Sequence, residues 1–187
     1  MKKEELSKYE IIYSDSIEFM GFTLYRIRAL KDFSNVNSGD LGGYICDYEN
    51  LSQYGDAWVS CNAWVYGDAL VSGDARVSGD ALVSGNAWVS CNAWVSGDAR
   101  VYGDALVSGD AKVYGQISII TILDIGRERG CLTMHLDSKI GVRVTRGCFT
   151  GTIEEFLSAV EKTHGDNMYG KIYRTAIEMA KIQFEID

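Results

Sequence analysis

From Ala57 to Tyr114 apolar and polar positions follow a frame of six that never slips. Valine stands at 59, 65, 71, 77, 83, 89, 95, 101, 107 and 113, and alanine two positions before each, which makes ten Ala-x-Val hexads. Residues two apart on an extended segment point to the same side, so each hexad predicts a short strand with Ala and Val inward and x outward. The Gly-Asp or Gly-Asn that follows predicts a turn, because Gly and Asn tolerate φ > 0. Such strands have no partner of their own and must stack coil upon coil. Ile117 with Ile119, then Leu123 with Ile125, extend the frame by two degenerate hexads to twelve.

The unit Val-(Ser/Tyr)-(Gly/Cys)-(Asp/Asn)-Ala-x resembles the hexapeptide signature of left-handed β-helices, an aliphatic corner residue with a small residue four positions on. That resemblance implies three hexads per triangular coil, with residues eighteen apart stacked at about 4.8 Å. Twelve hexads then make about four coils. The expected fold is mainly β: a left-handed parallel β-helix stem over 55–126, an N-terminal β cap over 1–54, and a small C-terminal α+β tail over 127–187.

Outside the stem the pattern changes. Glu10–Tyr13 and Phe22–Leu30 read as strands, a cap for the first coil, since solenoid ends need covering. Cys131–Asp137 and Ile140–Arg146 read as a hairpin. Thr152-Ile153-Glu154-Glu155 is a capping box, and Ile153, Phe156, Leu157 and Val160 form the stripe of a helix that ends at His164-Gly165. A second helix, Met168 to Phe184, carries Ile172, Tyr173, Ala176, Ile177, Ala180 and Phe184 on one side. Tyr25-Arg26-Ile27-Arg28-Ala29-Leu30, Gly42-Gly43, Asn50-Leu51-Ser52 and Gly55-Asp56-Ala57-Trp58-Val59 resemble the opening segment of YdcK-type β-helix proteins and of many phage and prophage proteins. The stretch Gly147 to Thr152, continuing through His164-Gly165-Asp166, is similar to a tail recurring in phage-encoded hexapeptide proteins. These resemblances imply a mobile-element origin.

Charge narrows the partners. A net charge of −8 and an isoelectric point near 4.8 give no general attraction to phosphate backbones or anionic lipid. No run approaches the roughly 18 apolar residues of a membrane span, and Met1–Glu5 is followed by no secretory apolar core, so a cytoplasmic protein is expected. Five cysteines without a Cys-x-x-Cys pair point to reduced thiols. Cys61 and Cys91 take the Gly place of their hexads, thirty residues apart and so at different corners. The asparagine after each predicts that the φ > 0 residue has moved on by one, to Asn62 and Asn92.

The best-known hexapeptide-repeat enzymes are acyltransferases, which the resemblance would equip with a catalytic histidine as general base. Of the two histidines, His164 falls in the last turn of a helix and His135 is expected to be an exposed strand residue. Two cannot supply the three-histidine metal site of γ-type carbonic anhydrases, and no Gly-x-x-x-x-Gly-Lys-(Ser/Thr), Gly-x-Ser-x-Gly or His-x-x-x-His occurs. No catalytic residue, metal ligand or cofactor is therefore assigned. An acyltransferase dependent on His135 is the alternative.

Sorting the x positions by eighteen gives three outer faces. The first stacks Trp58, Arg76, Trp94 and Lys112; the second Trp64, Leu82 and Arg100; the third Leu70, Trp88 and Leu106. The alternation of indole and cation on the first face reads either as a cation–π ladder or as a platform for a flat anionic ligand such as a nucleotide, with Trp64 and Arg100 beside it. The uncharged third face is expected to be covered, by copies of the chain in a side-by-side trimer or by the C-terminal helices. Aspartates and asparagines stack at the corners, where seven aspartates against Arg76, Arg100 and Lys112 leave −4. A weak cation site or an acidic imitation of DNA are the functional options there. The function expected is a non-catalytic binding or scaffold protein of phage type, a counter-defence inhibitor capturing a host protein or a nucleotide signal.

Overall fold

The computed structural model describes residues 7–115 and 118–186. The expectations placed on Met1–Glu5 and on Ile117 lie outside the described residues. The hexads form ten short strands, from β4 (Trp58–Val59) to β13 (Lys112–Tyr114). They pair in parallel on three faces, always eighteen residues apart: Trp58 with Arg76, Trp94 and Lys112; Trp64 with Leu82 and Arg100; Leu70 with Trp88 and Leu106. Backbone amides bond to the next coil, as in Trp64 N–H to the Ala81 carbonyl and Leu82 N–H to the Ala99 carbonyl, both at 2.9 Å. All ten alanines and ten valines are at most 1% exposed and form one continuous core. Each valine contributes about 2 kcal/mol of burial.

The parallel β-solenoid has about four turns, but its ends are not where the hexad frame puts them. At the N-terminal end β3 (Leu41–Ile45) stacks on Trp64–Val65 and Leu51 bridges Val71, in each case twenty residues away rather than eighteen. Two extra residues between Leu51 and Val59 absorb the difference. Asn50 occupies this first coil, fully buried, because its amide donates to the carbonyls of Gly67 and Ala69, both at 2.9 Å. Gly43 sits so close over the next coil that a Cβ would stand 2.4 Å from the Ala63 carbonyl oxygen.

At the other end the described part of the degenerate hexads, from Ile119 on, is not a coil. β14 (Ile119–Ile125) runs antiparallel to β15 (Gly130–Asp137), which pairs with β16 (Gly141–Arg146) and through it with β17 (Phe149–Gly151). No glycine stands between Gly115 and Gly126 to turn the chain after six residues, and the β-branched run Ile119-Ile120-Thr121-Ile122 favours one longer strand.

This second sheet lies between the solenoid and the helices. Leu132, Met134, Val142 and Val144 carry α1 (Ile153–His164) and α2 (Met168–Phe184) in a separate core. The alternate residues Thr133, His135, Asp137 and Thr145 are buried on the stem side, where Thr133 Oγ1 accepts from Leu106 N–H and Asp137 bridges Ala111. A polar layer thus separates two apolar cores. Two expectations are corrected here. His135 is 0% exposed, since the stem covers the strand face that alternation left outward. The helices dock on the sheet, leaving the Leu70, Trp88, Leu106 stripe uncovered by them. The capping box forms as expected, with Thr152 and Glu155 bonding each other's backbone amides.

At the N-terminal end β1 (Tyr9–Phe19) and β2 (Phe22–Ala29) form an antiparallel hairpin that joins β3 and so prolongs the second solenoid face into a six-stranded sheet. Tyr9, Ile11, Ile27, Ala29 and Val36 close the first coil. The buried Lys8 ammonium donates to the Ala57 carbonyl at 2.8 Å, and burial lowers its pKa to about 8. No helix of the described residues is long and apolar enough to cross a membrane.

The cysteine turns also differ from expectation. The φ > 0 residues are Cys61 (φ 58°) and Cys91 (φ 59°) themselves, not the asparagines after them. The coil geometry demands φ > 0 at that corner whatever residue fills it, at about 1 kcal/mol or more for a side chain with a Cβ. Glycine loses more entropy on folding, which offsets part of this. The double variant Cys61→Gly/Cys91→Gly is therefore expected to unfold at higher urea, with stability raised by about 1 kcal/mol. A midpoint at or below that of the wild type would contradict it.

Candidate functional site

The three outer faces meet different fates. On the first, Trp58 is 5% exposed, covered edge-on by Phe33 (centroids 5.4 Å apart) and by Tyr9 (6.4 Å). Arg76 below it donates to Ser34 Oγ at 2.6 Å and to Asn35 Oδ1. The loop after β2 has therefore taken the upper half of this face. Trp94, 44% exposed, and the exposed Lys112 remain open, with Tyr114 beside Trp94 at 6.4 Å. Among the described residues, the cations found over ring faces are Lys8 over Phe33 and Arg26 over Tyr44, both outside the expected ladder.

On the third face Leu70, Trp88 and Leu106 stack as expected. Trp88 is 48% exposed, with its indole N–H donating to Ser72 Oγ at 2.9 Å. Trp88 and Leu106 line a small groove of about 330 Å³ whose other wall is Cys131, Thr133, Thr145 and Arg146.

The second face carries a larger groove than the third. Ile17 and Phe19 of the hairpin overhang Tyr44, Trp64, Leu82 and Arg100, and Asn62, Asp80 and Asp98 form the long edge of a groove of about 620 Å³. Phe19 meets Trp64 edge to face at 4.9 Å, which holds the overhang against the stem. Phe19 and Phe22 also rest on Tyr66, at 5.8 and 5.3 Å. Arg26 is committed to this scaffold, bonded to Asp15 at 3.1 Å and to the Tyr44 hydroxyl at 2.7 Å. Arg100 is exposed and, among the described residues, has no ion-pair partner. Aromatic walls, an apolar floor and one uncommitted guanidinium are the makings of a ligand groove.

Of the residues named from the sequence, the structure brings Trp64 and Arg100 together here, two coils apart, and keeps Trp58, Arg76, Trp94 and Lys112 on the neighbouring face. Sequence reasoning missed Ile17, Phe19 and Tyr44. The signal for Tyr44 is Gly43-Tyr44-Ile45, a small, aromatic, aliphatic triplet like Ala63-Trp64-Val65 but displaced by twenty. Phe19 carries no such signal, since only the hairpin's path brings it over the stem.

The corner columns show why asparagine is interspersed among the aspartates. Asn62, Asn86 and Asn92 each donate to the aspartate one coil on, Asp80 at 3.2 Å, Asp104 at 2.8 Å and Asp110 at 3.4 Å. Asn86 and Asn92 break runs of stacked carboxylates that would otherwise repel, and Asn62 caps the head of its column. Asp110 also meets the Lys139 ammonium at 2.7 Å, which holds its carboxyl below the usual range.

A family model of the YdcK β-solenoid repeat matches residues 75–91, 93–109 and 99–115, all within the stem. No curated protein matches the chain.

Proposed function

We propose that the protein is a non-catalytic binding protein of phage or prophage type whose second-face groove captures a small planar anion of the nucleotide class. The observation that carries this reading is the pairing of half-open Trp64 with the uncommitted Arg100 in one groove. Two coil steps of about 4.8 Å separate them, a span comparable to that from a nucleobase to its phosphates. Half-open Trp64 offers a ring face for the base, and Asp80 and Asp98 offer acceptors for ribose hydroxyls. The phage assignment and the counter-defence role rest on the resemblance of the leading segment and the tail. The hexapeptide ancestry rests on the repeat unit, and self-association through Leu70, Trp88 and Leu106 on the apolar third face.

The placement of the histidines supports a non-catalytic role over acyl transfer. His135 is sealed between sheet and stem, and His164 packs against Tyr173 at 5.6 Å. Acetyl-CoA turnover abolished by His135→Ala would restore the enzyme reading.

Calorimetric titration with mono-, di- and cyclic nucleotides tests the groove. Trp64→Ala is expected to weaken binding at least about tenfold, as the loss of one base–aromatic stack does, and Arg100→Ala similarly. Arg76→Ala, on the covered face, is expected to change nothing. Wild-type protein that binds no nucleotide at millimolar concentration would end this reading, and a host-lysate pulldown would then test capture of a host protein. Competition with DNA that persists in high salt would argue against the acidic-mimic alternative.

A further inference from the structure

Helix α2 has two apolar stripes. The inner one, Tyr173, Ala176, Ile177 and Ala180, is at most 5% exposed and packs on the second sheet. The outer one, Met168, Ile172, Met179 and Ile182 with Thr175 among them, recurs at spacings of four, three, four and three along a neighbouring, outward-facing side of the helix. Met168 is 63%, Met179 47% and Ile182 80% exposed. Ile172, which the sequence puts with the inner stripe, is 39% exposed and belongs to the outer one. Spacing of this kind over two heptads is a seam for a second helix, and because the inner stripe already holds α2 folded, pairing costs no helix ordering. A groove of about 380 Å³ beside it, with Leu123 on its far wall, widens the apolar surface.

We infer that the outer stripe of α2 pairs antiparallel with α2 of a second copy of this chain, about a two-fold axis. The end charges favour this direction. The first turn of α2 holds no acid, and Lys171 stands there, the unfavourable end of a helix for a cation. On the same edge Glu185 caps the other end. Antiparallel pairing in the register that sets Ile172 against the partner's Ile182, and Thr175 against Met179, places each Lys171 beside the partner's Glu185 and helix C-terminus. The same register sets the exposed Glu178 against the partner's Glu178 at the centre of the pair. A parallel pair would leave both lysines at one end. The interface is self-complementary, as a two-fold dimer requires.

Sedimentation velocity of the full chain over a concentration series tests this, with circular dichroism to show that variants are folded. The wild type is expected to assemble in even-numbered units of the 20.7 kDa chain. Ile182→Glu, at a position open in the single chain, is expected to halve the assembled mass at equal concentration, weakening association at least about tenfold. Lys171→Glu is expected to weaken it and Lys171→Glu/Glu185→Lys to restore it. A wild type that stays monomeric throughout, or a trimer whose mass Ile182→Glu leaves unchanged, would overturn the pairing. Failure of the double charge swap to restore association would overturn its antiparallel register.

Discussion

A Val83→Asp chain is expected to yield no folded, soluble protein. Val83 is 0% exposed at the middle of the stem, paired with Val65 above and Val101 below. The change removes about 2 kcal/mol of apolar burial. It also puts a carboxylate among methyl groups with nothing to pair it, a further penalty of several kcal/mol. The sum is comparable to the whole stability of a domain, about 5–15 kcal/mol. A solenoid magnifies the damage, because each coil is held only by its neighbours, so a failed central coil disconnects the two ends. Leu82→Asp is the matched control: its side chain points outward, at a position type where Arg76, Arg100 and Lys112 already stand, and it is expected to fold. Thermal melts followed by circular dichroism separate the two. A cooperative, wild-type-like melt for Val83→Asp would refute the inward assignment of the valines.

Acidification from pH 6.5 to 4 is expected to destabilise the seam between the stem and the second sheet. Burial lowers the pKa of His135 to about 4; the Leu136 carbonyl it contacts and the Asp137 carboxylate raise it slightly, and Arg143 lowers it. Its Nε2 is buried without a hydrogen-bond partner, so a proton there has nothing to receive it. The unfolded chain titrates near 6.5 and binds more protons than the folded one between the two values, so stability falls as pH falls through this window. The loss approaches about 3 kcal/mol at pH 4 and is absent above roughly pH 6.5. Below that window Asp137 adds to it. Burial acts to raise its pKa, yet the Lys139 and Ile140 amides and the Arg143 guanidinium hold the carboxyl below its usual range, and protonation releases that pair.

Two measurements check this. Proton NMR of the two histidine rings, assigned with His164→Gln, is expected to show His135 titrating near pH 4. Urea unfolding against pH is expected to lose its slope in this window in His135→Gln. All four tryptophans lie in the stem, so their fluorescence reports the solenoid apart from the seam. A His135 that titrates near 6.5 would mean that the sheet does not seal against the stem.

The hexads alone dictated the core. Ala and Val two apart, with Gly-Asp between copies, admit one arrangement in which every valine is inside, and the structure buries all ten. The same arithmetic placed Trp64 and Arg100 in one outer column, because stacking by eighteen follows from the repeat without further information. Local signals of this strength also set the capping box at Thr152 and the two helices.

What the repeat does not carry was decided by contacts between segments distant in the chain. The first coil hides in sequence because two inserted residues move Tyr44 and Ile45 out of the frame, while the backbone ladder to Trp64 and Val65 puts them back in it. Alternation says which side of a strand His135 occupies, but whether that side meets water or the stem depends on where the second sheet docks. The concavity of the second face likewise belongs to no segment by itself: Phe19 comes from a hairpin, Tyr44 from the displaced coil and Arg100 from the stem. Periodic patterns encode local direction and inward burial, because each residue's alternatives are settled within a few neighbours. A groove or a buried seam depends on how separate units lie against each other, and that is settled only when the whole chain has folded.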